Sequence, residues 1–254
     1  MGNEAELPQT YAWACATDGT LTASQRQAVT SAVRAGYATF ARGVAGSLFR
    51  RAGAPIDAPT APDSKLARLA EEAASEQSAA LIGHSYRTWL LGDALARHDG
   101  VQVDPELFYI ASLLHDSGMM RDVVGQDFTV RSGAILVDVC SRAGADASVG
   151  IRAADAAVAH ATPGLTPTDN PEGFYVQGGA MADLAGLRIW DLPKGVLRAS
   201  YAAHPAAGVH TEIPKLIRHE AAQHPDGRFA ILKRGGMDRL VAISPTRIAA
   251  RRAG

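Results

Sequence analysis

Four side chains in this sequence could together do metal chemistry: His84, His115, Asp116 and Asp183. Each is expected on a helix or at its end, among apolar or small neighbours. A carboxylate in such a setting is costly unless it is paired or binds a cation. Two imidazoles and two carboxylates suit a divalent metal of the Zn, Fe or Mn kind. Buried polar residues with ordinary structural partners would leave the same trace, so spacing alone keeps both readings open. The centre of the set is the stretch 109–118, where an apolar run ends on His115-Asp116 and Gly118 follows.

Further residues could stand beside such a centre. His160, near a helix C-terminus, is either a pocket group or a favourable partner of the helix dipole. Arg87 lies three residues after His84 and so shares its helical face. It could hold a substrate or pair with a carboxylate such as Asp93. Gln177 is a candidate substrate contact. The Gly178-Gly179 pair signals close backbone approach, either to the pocket or between helices. Cys140 has no activating neighbour in sequence and reads as a small buried hydrophobe.

The elements that must position these groups read as helices. Thr22 to Gln25 has the capping-box form, and a helix should run to about Arg51, burying Val29, Val33, Tyr37, Phe40, Val44 and Leu48 on one face. Gly53 should close it. Prolines at 55, 59 and 62 mark a loop. Asp63 or Ser64 caps a helix to about Ser78. The next runs from Ala79 to His98, and another from Asp104 or Pro105 to His115-Asp116. Residues 117–127 form a glycine-containing loop. Helices then cover Ser132–Ala143 and Ala147–Ala161. A helix capped by Asn170 with Pro171 at its first position ends at Gly186, and two more cover Lys194–Ala203 and His210–Gln223. Residues 1–21 read as an irregular arm. The segments 229–232 and 240–243 flank Gly235-Gly236, which allows a small hairpin.

The chain has 254 residues, 47% of them hydrophobic and 20% charged, with a formal net charge of −1. This is ordinary for a soluble globular protein. Thinly spread Val, Ile and Thr without alternation argue against a large sheet. No basic patch points to nucleic acid. The first twenty residues lack the apolar segment of a signal peptide, and no run reaches transmembrane length. Two unpaired cysteines, Cys15 and Cys140, fit a reduced, cytoplasmic compartment. The fold class is therefore all-α, with no membrane or nucleic-acid partner. The long apolar helix 23–51 leaves room for a homo-oligomer.

The pattern His84 … His115-Asp116 … Asp183 resembles the HD-domain superfamily of helical metal-dependent hydrolases. Several stretches look like its cyanamide hydratase branch: Gly83-His84-Ser85-Tyr86-Arg87-Thr88, the segment 104–109 through Leu114-His115-Asp116-Ser117-Gly118, Ala159-His160-Ala161-Thr162, and 179–188 around Asp183. The resemblance implies three regions: an N-terminal arm and helix over 1–59, an HD-type metal-binding helical domain over 60–225, and a C-terminal extension over 226–254 packed on the same domain. It implies one divalent metal, Zn or Fe before Mn, held by His84, His115, Asp116 and Asp183. Only His160 lies where two-metal relatives carry extra histidines. The implied activity is that of a metal-dependent hydratase or hydrolase, a hydro-lyase in the hydratase case. Activated water would attack a small, largely uncharged, cyanamide-like or nitrile-like substrate, with Asp116 and His160 catalytic and Arg87 and Gln177 on the substrate. Two alternatives are an HD-type phosphohydrolase of nucleotides or small phosphate esters, and a non-catalytic metal-stabilised binding protein. A phosphohydrolase should bring several Lys or Arg residues to the metal, so the charge lining the pocket separates the readings.

Overall fold

The computed structural model describes residues 7–47, 57–193, 195–206, 208–244 and 246–247. Among these there are twelve α-helices and no strand: α1 (Tyr11–Thr17), α2 (Ala23–Ser47), α3 (Lys65–Ala74), α4 (Ala79–Asp99), α5 (Pro105–Leu114), α6 (Phe128–Ala143), α7 (Ala147–His160), α8 (Pro171–Ala185), α9 (Val196–Ala203), α10 (Val209–Gln223), α11 (Arg228–Arg234) and α12 (Met237–Ile243). A 3-10 turn, Ser117–Met120, follows α5.

Side-chain caps set most of the starts. Ser64, Ser78, Asp104 and Asn170 accept from the backbone N–H groups of Ala67, Leu81, Leu107 and Gly173. Each such cap contributes about 1 kcal/mol. Glycines in the left-handed region close α4, α6 and α8, at Gly100, Gly144 and Gly186.

The bundle is built around α4, α5, α7 and α8. α8 lies along α4, and α5 is enclosed by α3, α4 and α7. Every residue of α5 from Leu107 to Leu114 is buried, which is why its apolar run has no polar face. The α4–α8 contact is very close. A Cβ on Gly179 would come within 2.0 Å of the Thr88 carbonyl oxygen, and one on Gly92 within 2.5 Å of the Tyr175 carbonyl. The glycines at 178 and 179 therefore divide: Gly179 serves helix packing, and it brings α8 near enough for Asp183 to reach α4.

A second layer closes one side of this core. Leu81 and Leu184 meet Val209, Ile213 and Ile217 of α10 and Met237 and Val241 of α12. Here the hairpin expected after residue 226 is replaced by α11 and α12. Phe229 and Leu232, like Met237, Leu240 and Val241, recur at helical spacing and face the same apolar cluster. Gly235-Gly236 turns the chain between the two helices.

Three other expectations change. The arm before residue 21 contains α1, capped by Thr10 and held by the Tyr11 N–H donating to Asp155 Oδ1 at 2.6 Å. α6 starts at Phe128 rather than Ser132, because Asp127 caps it through the Thr129 N–H. Along α2, Val29 is buried, Val33 is half-buried and Tyr37 is 37% exposed. The single buried face expected there thins out beyond Val33; Val29 and Val33 pack against Leu7, Trp13, Leu21 and Ile231 of α11. Leu48, Arg51 and Gly53, and the side chains of Phe40 and Val44, lie outside the described residues. No described helix is long and apolar enough to cross a membrane.

Candidate metal centre

His84 projects from the second turn of α4, and His115 and Asp116 follow the last residue of α5. All three are buried, and one ligand atom from each lies within 4.8 Å of the others. Asp116 Oδ2 stands 3.2 Å from His115 Nε2 and 3.7 Å from His84 Nε2. His160, the last residue of α7, points its Nε2 at Asp116 Oδ1 from 3.5 Å. The His115 ring meets those of His84 and His160 edge-on, at 5.3 and 4.7 Å between centroids.

The opposite nitrogen of each ring fixes its tautomer. His115 Nδ1 donates to the Ser112 carbonyl at 2.8 Å. His160 Nδ1 makes the same kind of bond to Ala157, three residues back. His84 Nδ1 donates to Asp183 Oδ2 at 2.8 Å. With the ring protons held there, each Nε2 presents a lone pair to the Asp116 carboxylate. The Nε2 atoms of His84 and His115 are buried and have no hydrogen-bond partner among the described residues. Lone pairs and an anion facing one another in a dry site repel unless a cation or a proton stands between them. Burial opposes the charge on Asp116, yet His115 and His160 hold its carboxyl well below the usual range. Burial likewise opposes charge on His115, but Asp116 outweighs it and raises the imidazole. Burial keeps His160 shifted down. The donor set fits a divalent metal.

Asp183 stands elsewhere than a fourth ligand would. Its Oδ1 accepts from Arg87 Nε at 2.8 Å and Tyr201 Oη at 2.7 Å, and its Oδ2 from Arg87 NH2 at 2.9 Å and His84 Nδ1. Four donors fill the lone pairs of a carboxylate. Asp183 therefore backs His84, as a carboxylate behind a ligating imidazole does. Arg87, expected on the substrate, is instead fully buried against Asp183, and its remaining nitrogen donates to the His204 and Pro205 carbonyls. The expected alternative partner, Asp93, pairs with Arg97.

The turn after Asp116 is clamped from α6. The Gly118 N–H donates to Ser132 Oγ at 2.9 Å, and Arg131 Nε donates to the Gly118 carbonyl at 2.9 Å. A Cβ at 118 would fall 2.1 Å from the Phe128 carbonyl oxygen, so only glycine permits this approach.

The cluster faces a cavity of about 60 Å³, walled by apolar side chains that include Met119, Met181, Leu184, Ile213 and Phe229. Among the described residues, no Lys or Arg lines it. Gln177 lines it too, with its amide nitrogen donating to the carbonyls of His160 at 2.7 Å and Thr162 at 3.0 Å. The structure thus brings His84, His115, Asp116, His160 and Gln177 together and leaves Arg87 and Asp183 behind them. Sequence reading missed Tyr201 and the wall contributed by α10 to α12, since neither carries a motif.

Residues 81–182 match the family described as HD domain. This segment is similar to an HD domain. HD domains are generally metal-dependent hydrolases, and the His84–His115–Asp116 cluster is a potential metal site within this segment. A comparison with curated proteins finds no match to the chain.

Proposed function

We propose that this HD-like domain is a hydratase or hydrolase that adds water to a small, largely uncharged substrate, cyanamide-like or nitrile-like. The observation that carries this reading is the lining of the cavity. Its described lining is apolar apart from the cluster and Gln177, and among the described residues it offers no cation for a phosphate.

A divalent metal held by His84 Nε2, His115 Nε2 and an Asp116 oxygen would supply Lewis acidity and water ionised near neutral pH. Asp183 fixes the His84 ring through its Nδ1. His160, largely uncharged near neutrality because of its burial, offers Nε2 as a proton acceptor at the open side of the cluster. In hydration of a nitrile, the oxygen of water bonds to the C≡N carbon. One of its protons passes to His160 Nε2 and then to the substrate nitrogen, and tautomerisation yields the amide. Both Gln177 N–H groups are spent on carbonyls, so its Oε1 is the atom left to accept from a substrate N–H. Surrounding apolar groups exclude bulk water and strengthen these contacts.

The test is a screen of cyanamide, small nitriles and phosphate esters with Zn, Fe or Mn added. Urea or amide formation that disappears in Asp116→Asn supports the proposal. Phosphate release without any hydration would overturn it in favour of a phosphohydrolase.

A further inference from the structure

A second cavity, of about 180 Å³, adjoins the first. His160, Gln177, Met181 and Leu232 line both. Its outer wall is α2, through Ala32, Val33, Gly36 and Tyr37, a helix outside the HD-matched residues 81–182. Apart from His160 and Gln177 at the junction, the described wall is aliphatic and methionine side chains, glycine and Tyr37. The Tyr37 hydroxyl is engaged, donating to the Gly235 carbonyl at 2.7 Å. The inner cavity holds only a small head group, and the outer one offers such a group no polar partner beyond the junction.

We infer that the outer cavity is a tail-binding subsite, and that the substrate joins its small reactive head to an unbranched hydrocarbon tail of about six carbons. The nature of the head rests on the function proposed above; the tail does not. The cavity is slightly larger than the roughly 150 Å³ apolar space that admits a benzene ring. α2 therefore sets specificity from outside the HD segment, with Gly36 as the position that leaves the chamber open.

Gly36→Leu tests this directly. Gly36 lines the chamber, a Cβ there meets no described atom within 4 Å, and leucine is a better helix former than glycine, so the substitution adds bulk at the cavity wall without a clash at Cβ. Binding of alkanamides and of 1-alkanols, from two to eight carbons, is measured by calorimetry on the full chain. Both series should tighten by about fourfold per methylene up to about six carbons and then level off. Gly36→Leu should weaken the seven-carbon members at least tenfold and leave the two-carbon members unchanged. Affinity independent of chain length, or equal weakening of short and long members, would overturn the inference. Because binding is read without turnover and with two heads, tail dependence without nitrile hydration would refute only the proposed reaction. Hydration without tail dependence would refute only the subsite.

Discussion

Replacing Arg87 by methionine separates a buried ion pair from a substrate contact. In the structure Arg87 and Asp183 are both fully buried, joined by two hydrogen bonds of 2.8 and 2.9 Å. Methionine keeps most of the side-chain volume but leaves the Asp183 charge without its cation. The His204 and Pro205 carbonyls lose their donor as well. Breaking a buried pair from one side costs about 3–5 kcal/mol. For a chain of this size each kcal/mol lowers the melting temperature by about 2–4 °C, so a drop of about 6–20 °C is expected. Urea unfolding and scanning calorimetry measure it. The double variant Arg87→Met/Asp183→Leu removes both charges, and its loss should be smaller than the sum of the two single losses. A melting temperature within about 1 °C of the parent, combined with a raised KM, would refute the assignment and return Arg87 to the substrate.

Asp183→Asn should weaken metal binding by about 10–100-fold without abolishing it, as loss of a carboxylate behind a ligating histidine does; metal titration followed by competition with a chelator measures this, and complete loss would make Asp183 a direct ligand. Acid should unfold the protein partly through Asp127, whose carboxyl is buried and held below its usual range by Arg228 and the Thr129 backbone. Its folded pKa is depressed, so its contribution is present above the ordinary carboxyl value and fades as pH falls below about 4. The urea midpoint of the parent should therefore drop between about pH 4 and pH 2, and Asp127→Asn should lie lower at neutral pH with a flatter acid limb.

The helical architecture was largely legible because its signals are local. Ser64, Asp104 and Asn170 announce helix starts, and the apolar run 107–114 announces a helix buried on every side. The pair His115-Asp116 and the preceding His84 stood out for the same reason, as polar groups where burial demands a partner. What sequence could not reveal was direction. His84, Arg87 and Asp183 were all readable as site residues, yet Arg87 and the Asp183 carboxylate saturate each other behind His84. That depends on the α4–α8 spacing allowed by Gly92 and Gly179. The segment 229–243 was ambiguous because two short apolar runs around a glycine pair suit a hairpin or two short helices. Its contacts with Ile213 and Ile217 of α10 decide for helices, and such long-range packing has no local signature. The pocket wall from α2 was hidden likewise, since Gly36 and Ala32 matter only through the space they leave.

The most direct measurement is the metal content of the full chain and of His115→Ala and Asp116→Asn, with circular dichroism confirming that each is folded. The parent should hold about one divalent ion per chain, and both variants should lose it while keeping their helical spectrum. A folded parent that binds none of Zn, Fe or Mn, or an Asp116→Asn variant that retains the full complement, would contradict the metal centre.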